Sequence, residues 1–119
     1  MPPVELRQAG CAVQFLPLDL GSLESVHSFV KEYDQINLPA LAGIVCNAGI
    51  QNVSTPTKAI DGSEATFGIN HLAHYLLVRL LLPSIQAHGH IVFVSSGTHD
   101  PKEKTGLPAA LYNRKRYSE

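Results

Sequence analysis

The chain has few cysteines and no basic excess. Its 119 residues include two cysteines, Cys11 before the first apolar run and Cys46 at the end of the second. That spacing fits neither a zinc site nor a dense disulfide framework, so we expect a reduced, cytoplasmic protein without a bound metal. The formal net charge is -1. Nucleic acids and anionic membranes attract proteins with a basic face, so this balance predicts no nucleic-acid partner.

The chain also lacks a long uninterrupted apolar run. Its longest apolar stretch, residues 72–83, is broken by His74, Tyr75 and Arg79, and it is shorter than the roughly 20 residues that a membrane-spanning helix needs. The first residues show no basic segment followed by an apolar one, which a secretory leader would require. The sequence therefore predicts neither secretion nor a membrane segment.

The composition fits one small domain over residues 1–119. Hydrophobic residues make up 45% of the chain and charged residues 16%, which is ordinary for a globular α/β protein. Three short apolar runs, residues 13–18, 41–46 and 90–94, are predicted to be strands. Pro17 cannot donate a hydrogen bond to a ladder, which places the first run at an edge or strand end. The second run is continuous, as in parallel strands that are covered on both faces.

The first predicted helix lies between the first two strands. Ser22 is placed as its N-cap, with Glu24 in the first turn near the positive end of the helix dipole. Apolar residues recur at helical spacing after this cap. We expect the helix to run to about Asp34.

A second predicted helix covers residues 64–86. It carries no formal charge between Glu64 and Arg79, so it must be buried or shared with another subunit. Pro83 should end or bend it, and Gly89 should make the turn into the third strand. Alternation of strands and helices implies right-handed crossovers and a doubly wound parallel sheet.

Polar residues follow each predicted strand, where ligands bind in open parallel sheets. Asp19 could accept a hydrogen bond from an exocyclic amine of adenine, or it could cap the next helix. Asn47, Ala48 and Gly49 could let a flat ring approach the backbone, or they could form a turn. Ser96 could present a hydroxyl to a substrate carbonyl or simply end a strand.

Asn70 is a polar amide inside an apolar helix. Such a group costs stability unless it is bonded, so we expect it to contact a water or a neighbouring backbone carbonyl. His71 and His74 are three residues apart, and no HExxH motif or cysteine pair supplies the further ligands of a metal site. The sequence therefore predicts no metal here.

Four segments, taken in order, resemble the short-chain dehydrogenase/reductase family. They are Asp19-Leu20, Asn47-Ala48-Gly49, residues 68–74 (GINHLAH) and residues 91–96 (IVFVSS). The lead-in at residues 61–64 (DGSE) most resembles the retinol dehydrogenase and protochlorophyllide reductase branch. The resemblance implies a partial Rossmann-like, doubly wound parallel sheet, with the third to fifth strands of the family and their intervening helices.

The resemblance also implies an NAD(P)-dependent oxidoreductase. Hydride would pass between the nicotinamide and a small-molecule carbonyl or alcohol, with NADP slightly favoured by the branch alone. The family's helix around Asn70 packs between subunits, which is compatible with a homo-oligomer of the full-length parent. In the family's cofactor site, Asp19 would meet the adenine beside Leu20, while Asn47, Ala48 and Gly49 would line the adenosine-ribose side.

Three residues receive catalytic roles from the resemblance: Asn70, Ser96 and Tyr117. Ser96, the second serine of its pair, would hold the substrate oxygen, and Asn70 would support a water relay. Tyr117 would exchange the proton, as the opening of a Tyr-x-x-x-Lys motif whose lysine would fall two places beyond Glu119. Tyr112 is a rival, although arginine stands four places after it, and both tyrosines remain candidates.

The chain departs from the family pattern upstream. No glycine-rich dinucleotide turn or preceding strand pair is present, so residues 13–18 should lack their natural neighbour and only residues 41–46 and 90–94 should pair. We expect no turnover from these 119 residues alone. Two hypotheses follow: an incomplete record of a working reductase, or a catalytically inactive paralogue that acts as an interaction or scaffold fragment.

Overall fold

The computed structural model describes residues 12–51, 57–97 and 102. Two strands and three α-helical segments follow one another along this part of the chain. They are α1 (Leu23–Gln35), β1 (Leu41–Cys46), α2 (Ala65–Phe67), α3 (Ala73–Leu81) and β2 (Ile85–Phe93). A wide π-helical turn, Gly68–Leu72, joins α2 to α3, and a 3₁₀ turn, Leu82–Ser84, follows α3. We call residues 65–84 the central helix.

Helix α1 begins where the sequence predicts. Ser22 has extended backbone angles, and its hydroxyl accepts a hydrogen bond from Ser25 N at 3.3 Å, which satisfies one of the free donors of the first turn. Glu24 lies in that turn. The helix ends at Gln35, one residue beyond the predicted end, and Asn37 then adopts the left-handed φ of 54°, a conformation that asparagine tolerates better than most residues.

The central helix is capped by Glu64, whose two carboxylate oxygens accept hydrogen bonds from Thr66 N at 2.9 Å and Phe67 N at 2.8 Å. The regular α-helix ends at Leu81, and Pro83 lies in the 3₁₀ turn that follows. The prediction that Pro83 ends or bends this helix is confirmed. A proline at this point cannot donate to the preceding turn.

Strands β1 and β2 form a two-stranded parallel sheet. Their register is regular at the carboxyl end, where Cys46 lies opposite Phe93, and Val94 N continues the ladder to Cys46 O at 3.0 Å. Irregularity is confined to the other end, between Leu41 and Gly43. The two strands therefore leave the sheet at the same level.

Two details of the strand predictions are wrong. Residues 13–18 form no ladder, because β1 and β2 pair with each other, Pro17 has no N–H to donate, and no further strand lies beside this run in the described part of the chain. The third predicted strand begins at Ile85 rather than residue 90. Gly89 therefore lies inside β2, within the irregular pairing, instead of in a turn before it.

The core joins α1, α3 and β1. Its fully or nearly fully buried members are Val26, Ala73, Leu77 and Leu81. Leu41 and Ile44 of β1 pack against this cluster, together with half-buried residues such as Leu18 and Leu20. Although residues 13–18 form no strand, Leu18 still anchors their end to the helices.

The opposite face of the sheet is open. Val45 is 67% exposed and its cross-strand partner Val92 is 46% exposed. The prediction that residues 41–46 are covered on both faces therefore does not hold among the described residues. None of the helices in residues 12–51 and 57–97 has both the length and the apolarity needed to traverse a bilayer.

We expect Leu77→Ala to destabilise the fold. Leu77 is 7% exposed within the core cluster, so removal of its side chain should lower the free energy of unfolding by about 2–5 kcal/mol in urea titrations. The matched change Leu82→Ala, at a residue 45% exposed, should cost less than about 1 kcal/mol. Equal losses in the two variants would contradict the position of the core.

The Glu64 cap predicts a pH-dependent stability. The N–H groups of Phe67 and Thr66 hold the pKa of the Glu64 carboxyl below its usual value. A carboxyl whose pKa is lower in the folded state contributes stability that is present above its unfolded pKa and is lost as pH falls through the folded pKa. Unfolding midpoints measured from pH 7 down to 3 should fall less for Glu64→Gln than for the wild type. Parallel curves would exclude this contribution.

Candidate functional site

A cleft of about 730 Å³ opens at the carboxyl ends of β1 and β2, a volume typical of small-molecule sites. Three parts of the chain line it: residues 46–51 after β1, residues 93–96 after β2, and Thr66, Asn70, His71 and His74 from the central helix. Because both strands end at the same level, their following residues meet at one rim. Of the predicted site residues, Asn47, Ala48, Gly49, Asn70 and Ser96 all line this cleft.

Asn70 bonds the backbone of a single residue twice. Its Oδ1 accepts a hydrogen bond from Ile50 N at 2.8 Å, and its Nδ2 donates to Ile50 O at 2.8 Å. A side-chain amide thus satisfies both backbone groups of a residue that has no ladder partner of its own. The expectation that Asn70 bonds a neighbouring backbone carbonyl is confirmed.

The turn that carries Asn70 is wider than an α-helical turn. Ala73 N donates to Gly68 O, five residues earlier, and residues 68–72 form one π-helical turn. Such turns within α-helices often mark functional sites. The apolar spacing of the sequence predicts a regular helix here, because that spacing does not distinguish one widened turn.

Gly49 faces Asn70 closely. A Cβ at this position would lie 3.4 Å from Asn70 Oδ1, which is at the near limit of ordinary van der Waals contact. A larger side chain would extend onto the amide that holds Ile50. Residue 49 is therefore restricted to a small side chain if Asn70 is to keep its bonds to Ile50.

His74 lies one helical turn beyond Asn70 and is 5% exposed. Its Nε2 is 2.8 Å from Ala48 O. A carbonyl oxygen only accepts, so Nε2 carries the hydrogen. From the sequence, His74 is a candidate only for a metal site that its spacing argues against. The signal for the contact with Ala48 is a polar residue four places after Asn70 on the same apolar helix.

Cys46 is buried at the base of the cleft, at 4% exposure, and its thiol is free. Burial raises the pKa of the Cys46 thiol. A thiol with a raised pKa stays protonated near neutral pH and is a poor nucleophile. Cys46 therefore serves as a small packed residue in this site.

Asp19 and Leu20 are not among the residues that line the cleft. The Asp19 carboxylate accepts a hydrogen bond from Gly21 N at 2.8 Å, and Asp19 N donates to Ser25 Oγ at 2.9 Å. These bonds build the turn before Ser22, and Ser22 rather than Asp19 is the N-cap of α1. Leu20 packs against the core. Tyr112 and Tyr117 lie outside the described residues.

Asp61, which stands out in the sequence only as part of the DGSE segment, has a structural role. Its Oδ2 accepts a hydrogen bond from Leu23 N at 2.8 Å, and Ile60 N donates to Gly21 O at 3.1 Å. The segment before the central helix is thus tied to the start of α1. No local sequence pattern predicts that a carboxylate 38 residues away accepts from the first turn of α1.

Comparison with known proteins finds one family. The family model for short chain dehydrogenases matches residues 3–106. A short-chain dehydrogenase iccH from Talaromyces variabilis is 32% identical over 124 residues, covering 89% of this chain and 34% of the relative. The polyprenol dehydrogenase of Mus musculus is 42% identical, covering 71% of this chain and 27% of that protein.

Protochlorophyllide reductase A of Hordeum vulgare, a chloroplastic protein, is 46% identical over 71 residues, covering 58% of this chain and 18% of its own length. A crystal structure of an uncharacterized protein from Mycobacterium paratuberculosis superposes with a TM-score of 0.59 at 36% identity, covering 71% of this chain and 28% of that one. The chain thus spans about a third or less of the length of these proteins. The predicted likeness to protochlorophyllide reductases is confirmed.

We expect Asn70→Leu to release Ile50 from the central helix. Loss of both hydrogen bonds should speed exchange of the Ile50 amide hydrogen several-fold and lower the free energy of unfolding by on the order of 1–2 kcal/mol. Amide hydrogen exchange followed by NMR measures the first effect. Gln86→Leu removes an exposed amide from β2 and is the matched control. Unchanged Ile50 exchange in Asn70→Leu would contradict the described contact.

Proposed function

The chain belongs to the short-chain dehydrogenase/reductase family, and from that premise we propose that the protein containing it is an NAD(P)-dependent oxidoreductase acting on a small-molecule carbonyl or alcohol. One observation carries the proposal. A single cleft is lined by predicted site residues from three separate segments of the chain, namely Asn47, Ala48, Gly49, Asn70 and Ser96. The cleft lies at the carboxyl ends of parallel strands, where ligands of such sheets bind.

The residues at this rim fit a nicotinamide dinucleotide. Ala48 has a small side chain, and the backbone from Ala48 to Ile50 is held by side chains of the central helix. A flat ring or a sugar can approach such a backbone closely without displacing a bulky group. When bound, the nicotinamide supplies or accepts the hydride.

Ser96 is the proposed contact for the substrate oxygen. It lies three residues after the end of β2 and lines the cleft together with residues of the central helix. A hydroxyl at this place can donate a hydrogen bond to a carbonyl oxygen as negative charge develops on it. Proton exchange is assigned to Tyr117, with Tyr112 as the alternative.

Asn70 belongs to the proposed site chiefly as a positioning residue. Its side-chain oxygen and nitrogen both bond Ile50, so the amide is engaged with the protein rather than with a ligand. The water-relay role that the family resemblance implies stays part of the proposal. Asp19 and Leu20 are proposed at the adenine end on the strength of that resemblance.

Broader properties complete the proposal. Residues 1–119 would form part of one NAD(P)-binding domain in a cytoplasmic protein, which suits the free Cys46 thiol. The exposed side chains of Phe67 and Tyr75 on the central helix support assembly of the full-length parent into a homo-oligomer. Likeness to the protochlorophyllide reductases is the sole support for a preference for NADP over NAD.

Ser96→Ala tests the proposed chemistry in the full-length protein. Removal of the hydroxyl that holds the substrate oxygen should lower kcat by about 10²–10³-fold, while thermal unfolding stays close to the wild type. Steady-state oxidation or reduction of alcohol and carbonyl substrates with NADP or NAD supplies the rate. Ser95→Ala, at the neighbouring residue, should reduce kcat by less than about tenfold.

Two results would count against the proposal. An unchanged kcat in Ser96→Ala would remove this residue from the mechanism. A full-length protein that binds neither nicotinamide cofactor would favour the alternative of an inactive paralogue with an interaction role. Calorimetric titration with NADPH and NADH makes that distinction without a known substrate.

A further inference from the structure

His74 is a buried polar residue with one bond. Its side chain is 5% exposed, and no other polar side chain among the described residues is buried. Its Nε2 lies 2.8 Å from Ala48 O. The second ring nitrogen, Nδ1, is also buried and has no hydrogen-bond partner among the described residues. The contact with Ala48 is thus the only polar bond that the ring makes in this part of the protein.

A histidine in this place costs stability that a leucine or phenylalanine would not. Burial of Nδ1 without a partner removes it from water with no compensation. The surrounding helix is apolar and its neighbours Ala73 and Leu77 belong to the core. Within the described residues, the bond from Nε2 to Ala48 O is the one contact that histidine makes at this position and an apolar residue could not.

The spacing of the two polar residues on the helix matches the spacing of their partners on the rim. Asn70 and His74 are four residues apart, which is a rise of about 6 Å in a helix. Ala48 and Ile50 are two residues apart, which is about 6.6 Å in an extended chain. Residues 47–50 have no ladder partner of their own, so these side chains hold the segment at two points.

We propose that His74 is a positioning residue of the cofactor site, which together with Asn70 clamps residues 48–50 in the conformation that receives the adenosine-ribose side of a nicotinamide dinucleotide. The inference rests on the proposed function for the identity of the ligand. The clamp itself is a property of this chain. His74 acts through the Ala48 backbone and does not touch the ligand.

The test compares His74→Phe with His74→Gln in the full-length protein. Phenylalanine keeps a ring but removes the donor, so Ile50 amide exchange should rise about tenfold and the Kd for NADPH or NADH should rise by a similar factor, with kcat within about twofold of the wild type. Glutamine retains an N–H donor and should recover most of the affinity. His27→Phe, the same change at an exposed position of α1, should leave both readouts unchanged.

The outcomes separate the clamp from the proposed function. If His74→Phe lowers thermal stability but leaves Ile50 exchange and cofactor affinity unchanged, His74 is only a core residue and the inference is overturned. If the wild type binds no nicotinamide cofactor while Ile50 exchange still responds to His74→Phe, the clamp stands and the proposed function fails.

A measurement on the unmodified protein covers the case in which His74→Phe does not fold. Long-range ¹H–¹⁵N spectra of the imidazole distinguish its tautomers. The inference requires a hydrogen on Nε2, because only an N–H group can donate to Ala48 O. A neutral ring with its hydrogen on Nδ1 could not donate to Ala48 O, and that result would overturn the inference.

Discussion

The parallel ladder between β1 and β2 determines where the candidate site residues that follow the two strands lie. Cys46 is opposite Phe93, and Val94 N extends the ladder by one more bond to Cys46 O. Since the two strands are parallel and end at the same level, residues 47–50 and 94–96 leave the sheet at one edge. A shift of β2 by a few residues would move Ser96 away from Asn47 and divide the cleft.

A second constraint acts through the central helix. Residues 47–50 leave the ladder and would otherwise present unsatisfied backbone groups to the cleft. Asn70 satisfies both polar groups of Ile50, and His74 satisfies the carbonyl of Ala48. Polar side chains that look out of place on an apolar helix therefore supply the missing partners. The widened turn at Gly68–Leu72 carries the first of them, and the Glu64 cap holds the start of the helix.

Sequence reasoning recovers those features that depend on local chemistry. The Ser22 cap, the extent of α1 and the break at Pro83 follow from residue type and spacing. The pairing of β1 with β2 follows from two short apolar runs, each of which is followed by small and polar residues. Residues 13–18 were expected to lack their neighbour, and their prediction as a strand was wrong because a strand depends on a partner and not on its own composition.

The remaining features depend on contacts distant in sequence. The bond from His74 to Ala48 spans 26 residues, and the cap from Asp61 to Leu23 spans 38, so neither leaves a local pattern. Asn70 was singled out correctly because an amide inside an apolar helix requires a partner. The same argument applies to His74, and its place four residues after Asn70 on the same apolar helix is the sequence signal for the second contact.

Chemical-shift mapping tests the central claim, that one cleft at the strand ends takes the nicotinamide cofactor. NADPH or NADH would be added to the ¹⁵N-labelled full-length protein while backbone amide signals are followed. The account predicts concerted shifts at residues 47–50 and 94–96, with the second half of α1, residues 29–35, unaffected. Shifts confined to other parts of the protein, with both strand ends unchanged, would contradict it.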